Sequence, residues 1–317
     1  MSNENPPPRR TLKESAFHVR WHTRKAIHTA LGRLAVVLMR LLRRTDRKRM
    51  ADFFAASMRR IGPWMREQQI ARENLTAAFP EKSAQEIDAI LTGSWDNLGR
   101  VAAEFLHLDR FTIPDMEKPG DVDVTYDPVI VERLRRIQQG GGRLFFGTHL
   151  GNWELPARFA HHYGLDSTVL FRPPNIRPLA DAITEMREGC MGTLVPSRFD
   201  APVRMMRALE RGGVVGMLVD QYDSRGVDIN FFGRVCKASP LMAQLARHMN
   251  CPIHGVRVVR LADRNKFWGE ITDPIEPVRD PDGQINIAGT TQAIANVIET
   301  WVREHPEQWL WQHRRWR

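Results

Sequence analysis

Along most of the chain, apolar and polar positions alternate between two periods. Short apolar runs, bounded by glycine, proline or polar clusters, alternate with longer stretches in which apolar residues recur every three or four positions. The first pattern predicts strands and the second helices. From residue 120 onward it predicts a strand over Val122–Tyr126, a helix over Pro128–Gln138 and a strand through Leu144, Phe145 and Phe146. A helix from Trp153 to Tyr163 follows, with Asn152 as its N-cap. Strands are then predicted at 167–172, 193–196 and 213–219, with helices at 177–189 and 201–211. A polar loop is expected over 221–237, then a helix over 239–249, strands over 253–260 and 267–272, and a helix over 287–305. Strands alternating with helices imply an α/β fold with a largely parallel sheet covered on both faces. Residues 15–110 read instead as successive helices, one capped by Ser83 with Glu86 three positions on, another running from Ser94 to Leu108. Residues 1–11, with Pro6-Pro7-Pro8, read as an unstructured tail, and no internal repeat is apparent.

Charge divides the chain differently. The net charge is +9, yet residues 1–66 hold 16 Lys and Arg against four Asp and Glu, while the remainder holds 30 against 33. We therefore separate a basic N-terminal segment, 1–66, from a near-neutral body, 67–317. A basic segment of this kind seeks an anionic partner. Its pattern favours a membrane surface. Residues 24–48 read as one helix, with Ile27, Leu31, Leu34, Ala35, Leu38, Leu41 and Leu42 on one face and Arg33, Arg40, Arg43, Arg44 and Arg47 on the other. The uncharged run is shorter than the ~20 residues a spanning helix needs, so an interfacial helix is expected. The alternative is a helix that packs its leucines on the body, and the same segment can do both. The apolar face is too continuous for a nucleic-acid arm, and no nucleic-acid partner is expected. Cys190, Cys236 and Cys251 are odd in number and lack metal-ligand spacing, consistent with a reducing compartment. No signal-peptide pattern opens the chain.

The chemistry-bearing stretch is Gly147-Thr148-His149-Leu150-Gly151-Asn152-Trp153-Glu154. It places His149 in the loop at the carboxyl end of a strand and Glu154 in the first turn of the next helix, where open α/β sheets keep their sites. An imidazole held by a carboxylate through one ring nitrogen can take a proton with the other. Such a pair suits activation of a substrate hydroxyl and needs neither a metal nor a covalent intermediate; no G-x-S-x-G elbow is present. Two other readings stand beside it. A histidine and a glutamate five apart are often a satisfied core residue and a helix-face residue. Alternatively, His149, Glu154, His161 and His162 together suggest a metal-dependent hydrolase, although no zinc-enzyme spacing supports it.

The flanking residues resemble a known family. His149-Leu150-Gly151-Asn152-Trp153-Glu154 is similar to the H-x4-D/E signature of glycerolipid-type acyltransferases, in the form found in the late acyltransferases of lipid A biosynthesis. Asn74-Leu75 with Phe79-Pro80-Glu81, Phe171-Arg172-Pro173-Pro174-Asn175, the block from Gly212 to Gln221, Phe231-Phe232-Gly233, and the closing Pro306–Trp316 segment resemble further blocks of that family in order. The resemblance spans about residue 70 to the C-terminus. It implies transfer of a fatty acyl group from acyl carrier protein, or a CoA thioester, to a hydroxyl of a lipid A precursor. Related dyads also act on other membrane glycolipids and aminolipids. The implied location is the cytoplasmic face of the bacterial inner membrane, peripheral or monotopic, with no cofactor beyond the thioester co-substrate. His149 is then the expected base and Glu154 its orienting carboxylate. Arg172 and Arg187 are candidates for substrate phosphate or oxyanion, with a salt bridge from Arg187 to Glu188 or Asp181 as the alternative. Asn152 and Asp220 are placed among the substrate-binding residues; Asp220 supports the site or merely caps the following turn. Phe231, Phe232 and Trp153 are candidates for the acyl pocket, although the two phenylalanines could equally anchor their loop. Trp301, Trp309, Trp311 and Trp316 either pack the last helix or form an interfacial belt.

Overall fold

The structure is a computed structural model that describes residues 28–115 and 122–317. The Pro6–Pro8 tail and Ile27 lie outside the described residues. A helix over 28–42 (α1) is followed by Arg47–Ile61 (α2), Arg66–Ala78 (α3) and Ala84–Phe105 (α4). The expected helix over 24–48 is thus broken: a turn follows residue 42, and Asp46 starts α2 by accepting a hydrogen bond from the Arg49 amide. Ser83 and Glu86 form the expected reciprocal cap on α4. The body then runs Val124–Tyr126 (β1), Val129–Gln138 (α5), Arg143–Gly147 (β2), Leu155–His162 (α6), Ser167–Phe171 (β3), Arg177–Met191 (α7), Thr193–Pro196 (β4), Ala201–Glu210 (α8) and Val214–Leu218 (β5). Tyr222–Phe231 (β6), Arg234–Ala238 (β7), Leu241–Met249 (α9), Ile253–Arg260 (β8), Phe267–Ile271 (β9) and Ile287–Glu304 (α10) complete it.

Among the described residues, seven strands form one sheet in the order β1-β9-β8-β2-β5-β3-β4. All neighbouring pairs are parallel except β8–β9, which is antiparallel. The expected α/β class is therefore observed. One expectation needs correction. The polar stretch 221–237 is an antiparallel hairpin of β6 and β7, not a loop. Most of its exposed positions are polar, Val235 being the apolar exception, which hides the strand pattern. The apolar ones, Ile229, Phe231 and Cys236, are buried.

The two faces of the sheet are covered by different helices. Leu144 and Phe146 of β2 and Val215 and Met217 of β5 join Met205 and Leu209 of α8, Met242 and Leu245 of α9, and Ile298 and Trp301 of α10 in one core. Phe146 and Trp301 stack with ring centres 5.7 Å apart. On the opposite face, α5, α6 and α7 cover the sheet less closely.

The C-terminal segment closes the molecule. Trp309 and Trp311 are buried among Phe79, Phe231 and Phe232. Asn74 donates to the carbonyls of Trp311 and His313 at 3.0 and 2.9 Å. These tryptophans therefore pack the core, the first of the two alternatives for the tail.

Candidate active site

β2 and β5 are adjacent and parallel, with Gly147 opposite Leu218. Two residues further on, His149 and Asp220 leave the same edge side by side. Asp220 lies 4% exposed beneath the imidazole, and its carboxylate accepts four hydrogen bonds. They come from His149 Nδ1 at 2.8 Å, the His149 amide at 2.9 Å, Thr148 Oγ1 at 2.7 Å and Trp309 Nε1 at 2.8 Å. Burial alone would favour the neutral acid, but the imidazole's charge and these donors outweigh it. They hold the Asp220 carboxyl well below the usual carboxylate range. On the imidazole, burial acts to lower the pKa. The Asp220 charge and hydrogen bond overcome it, Glu154 adds to them and Arg187 opposes, so the net displacement is upward.

The carboxylate on the ring nitrogen is thus Asp220 rather than Glu154, which corrects the geometry expected from the H-x4-E spacing. Glu154 is taken by Arg187 in a two-pronged ion pair, Nη2 to Oε1 at 2.6 Å and Nε to Oε2 at 3.1 Å. The guanidinium also lies 5.1 Å from the Phe105 ring centre. The Arg187 partner is accordingly neither Glu188 nor Asp181. Glu154 remains close enough to act on the imidazole through its charge. The physical reason is chain direction. The Gly151 and Asn152 amides bond the Gln308 and Val258 carbonyls before α6 begins at Leu155, whereas Asp220 arrives directly from the neighbouring strand.

The intervening loop is tightly held. Gly151 has φ +59°, and a Cβ there would stand 2.0 Å from the Val258 carbonyl oxygen, so only glycine fits. Asn152 is fully buried and does not begin the helix. Its Oδ1 accepts from the Glu154 amide at 3.2 Å, and its Nδ2 donates to Glu104 at 2.9 Å. Glu104 in turn holds Arg260 at 2.6 and 2.8 Å. Both polar ends of Asn152 are therefore hydrogen-bonded, and it ties the loop to Glu104. With Nδ1 donating to Asp220, His149 Nε2 presents a lone pair outward, and the amide nitrogen of Gln221 lies 3.3 Å from it.

Nε2 opens onto a cavity of about 680 Å³ on the α5–α6–α7 side of the sheet. His149, Trp153, Glu154, Arg172 and Arg187 line it near the site, and Ile130, Leu134, Val169 and Ile271 give it apolar walls. Arg172 is exposed and, among the described residues, has no ion-pair partner. Phe231 and Phe232 do not line this cavity; they pack against Trp309, Trp311 and Trp316, edge-on except for the stacked Phe231–Trp316 pair, so they anchor their hairpin. His161 and His162 end α6 on its exposed side, and no metal-holding group of three or more His, Cys, Asp or Glu occurs among the described residues.

The site thus combines a histidine, a buried carboxylate on its Nδ1 and a largely apolar cavity beside its Nε2. The model of the bacterial lipid A biosynthesis acyltransferase family matches residues 16–317. The chain belongs to that family. It is 26% identical over 258 residues to the lipid A biosynthesis palmitoleoyltransferase of Escherichia coli (strain K12), covering 80% of this chain and 79% of the relative. The same values hold for the lipid A biosynthesis acyltransferase of Shigella flexneri. Membership makes the chain an acyltransferase and supports acyl transfer onto lipid A. Thr148 and Gln221, which spacing did not single out, sit beside the marked His149 and Asp220, and Trp309, singled out only with the tail tryptophans, reaches the site through Asp220.

Proposed function

We propose that the chain moves a fatty acyl group from a thioester donor, acyl carrier protein or CoA, to a hydroxyl of a lipid A precursor, with His149 as general base. The observation that carries this reading is the outward-facing Nε2 of an Asp220-held imidazole at the mouth of an apolar cavity. Nε2 takes the acceptor hydroxyl's proton as its oxygen attacks the thioester carbonyl. The tetrahedral intermediate then expels the thiolate, which recovers the proton from the imidazolium. Asp220 stabilises that imidazolium and fixes the tautomer, the part a buried aspartate plays in serine-protease triads. Glu154, steadied by Arg187, adds negative charge nearby and acts on the imidazole through that charge. Arg172, exposed at the mouth, is the group free to meet a substrate phosphate. The acyl thioester is a co-substrate, and no resident cofactor enters this scheme.

The acceptor is a membrane lipid, and α1 supplies a means of reaching it. Leu31, Leu34, Val37, Leu38 and Leu41 are each more than half exposed, with Arg33, Arg40 and Arg44 exposed beside them. Arg43 and Arg47 are instead drawn onto the body by Asp109 and Asp123, and Met39 and Leu42 pack against Met50 and Leu106. The helix therefore docks on the protein with one face and offers a leucine stripe with another. No helix among the described residues is long and apolar enough to cross a membrane. Peripheral attachment to the anionic cytoplasmic face of the inner membrane fits this arrangement.

The test is mass spectrometry of lipid A from cells with and without the gene. We expect one class of lipid A, heavier by a single acyl group, to vanish when the gene is removed and to return with wild type but not with His149→Ala. Identical lipid A in all three strains would remove the assignment.

A further inference from the structure

We propose that Gly216 sets the length of the acyl chain this site accepts, an inference that rests on the acyl-transfer reading above. Gly216 occupies the middle of β5, a strand paired on both sides. Glycine there weakens a strand and needs a reason. Most glycines packed inside this chain have one. A Cβ at Gly142, Gly213 or Gly255 would approach a neighbouring atom to 2.6–2.8 Å. At Gly216 an added Cβ would meet nothing within 4 Å, and the residue has no positive φ. Neither close packing nor backbone conformation accounts for the missing side chain.

What lies above Gly216 is the cavity. Alternate residues of adjacent strands form its floor, and the strand register places Gly216 between Phe145 and Val169, both of which line it. His149 is four residues beyond Phe145, so Gly216 lies roughly 13 Å below the base at ~3.3 Å per residue. Two residues further from the base, Val214 and Ser167 line the cavity as well. An acyl chain that runs from a thioester at His149 down this face crosses Gly216 before reaching the end. A side chain at 216 would project into that lane and shorten it. Each methylene denied burial is worth roughly fourfold in affinity, so loss of two or three methylene sites gives a tenfold or greater change in preference.

The experiment measures transfer to a lipid A precursor from mixtures of acyl-carrier-protein thioesters of graded length, using wild type, Gly216→Ala, Gly216→Val and Gly216→Leu. Thermal unfolding verifies that each variant is folded. We expect the ratio of long-chain to short-chain transfer to fall progressively with side-chain size, by tenfold or more for Gly216→Leu. If leucine prevents folding, the valine variant must show the same direction. Folded Val and Leu variants with the wild-type ratio overturn the assignment while leaving the acyl-transfer reading intact. A wild type that transfers from no donor overturns both.

Discussion

The two faces of one pair of strands differ sharply. On β2 and β5, Leu144, Phe146, Val215 and Met217 belong to a dense core, whereas Phe145, Val214, Gly216 and Leu218 line a cavity of about 680 Å³ that Met217 also touches. All eight positions belong to two apolar runs, and nothing in the runs distinguishes the faces except the glycine. The comparison teaches that close packing and open space are divided by strand parity. The dense face also carries the tail residue Trp309, whose indole holds Asp220. The densely packed side thus holds the carboxylate that bonds His149 at the edge of the cavity.

The largest expected effect tests that link. His149→Ala should reduce acyl transfer on the order of 10²–10⁴-fold with the unfolding temperature little changed, and Asp220→Asn should cause a loss of the same order. The Asp220 variant also makes a signed prediction for pH. A general base works when neutral, and His149 has a pKa raised above its ordinary ~6.5. In the wild type, kcat/KM should therefore rise with pH to a plateau reached above that ordinary value. Without the Asp220 charge, the limb should move to lower pH even as the plateau falls. A limb that stays in place would show that Asp220 does not control the imidazole.

A second pair separates the faces directly. Phe146→Ala removes a fully buried ring stacked on Trp301 and should destabilise the fold by about 3–5 kcal/mol in chemical denaturation. Phe145→Ala opens onto space that already exists and should cost less than half as much, while altering donor preference. Equal losses from the two would mean that the cavity face is as tightly packed as the core.

The smallest effect concerns the other carboxylate. Glu154→Gln keeps the shape of the Arg187 contact but removes a charge near the imidazole. We expect a reduction in turnover smaller than that of Asp220→Asn, and a smaller displacement of the pH limb in the same direction. If Glu154→Gln is the more damaging of the two, Glu154 touches the reacting groups, and the ranking of the two carboxylates reverses.

Much was legible without coordinates. Periodicity gave the α/β class and nearly every strand and helix after residue 120, because each strand buries an apolar run and each helix an apolar stripe. The Gly147–Glu154 stretch marked the base, since a histidine between two glycines at a strand end has few structural uses. The β6–β7 hairpin was not legible, because its exposed polar positions outweigh its few buried ones. The partner of His149 could not be read from spacing either. Asp220 is 71 residues away, and only the parallel pairing of β2 with β5 brings it to the imidazole. Proximity in sequence favoured Glu154, but the turn before α6 directs it to Arg187. Of the three residues expected at an acyl pocket, Trp153 lines the cavity beside His149, whereas Phe231 and Phe232 face the core. Apolar residues in sequence do not reveal whether they face a core or a void, because both environments exclude water. Periodicity determined the elements, and the motif around His149 pointed to the chemistry; the sheet register and the packing of the C-terminal tryptophans decided which carboxylate bonds His149 and on which face of the sheet the cavity opens.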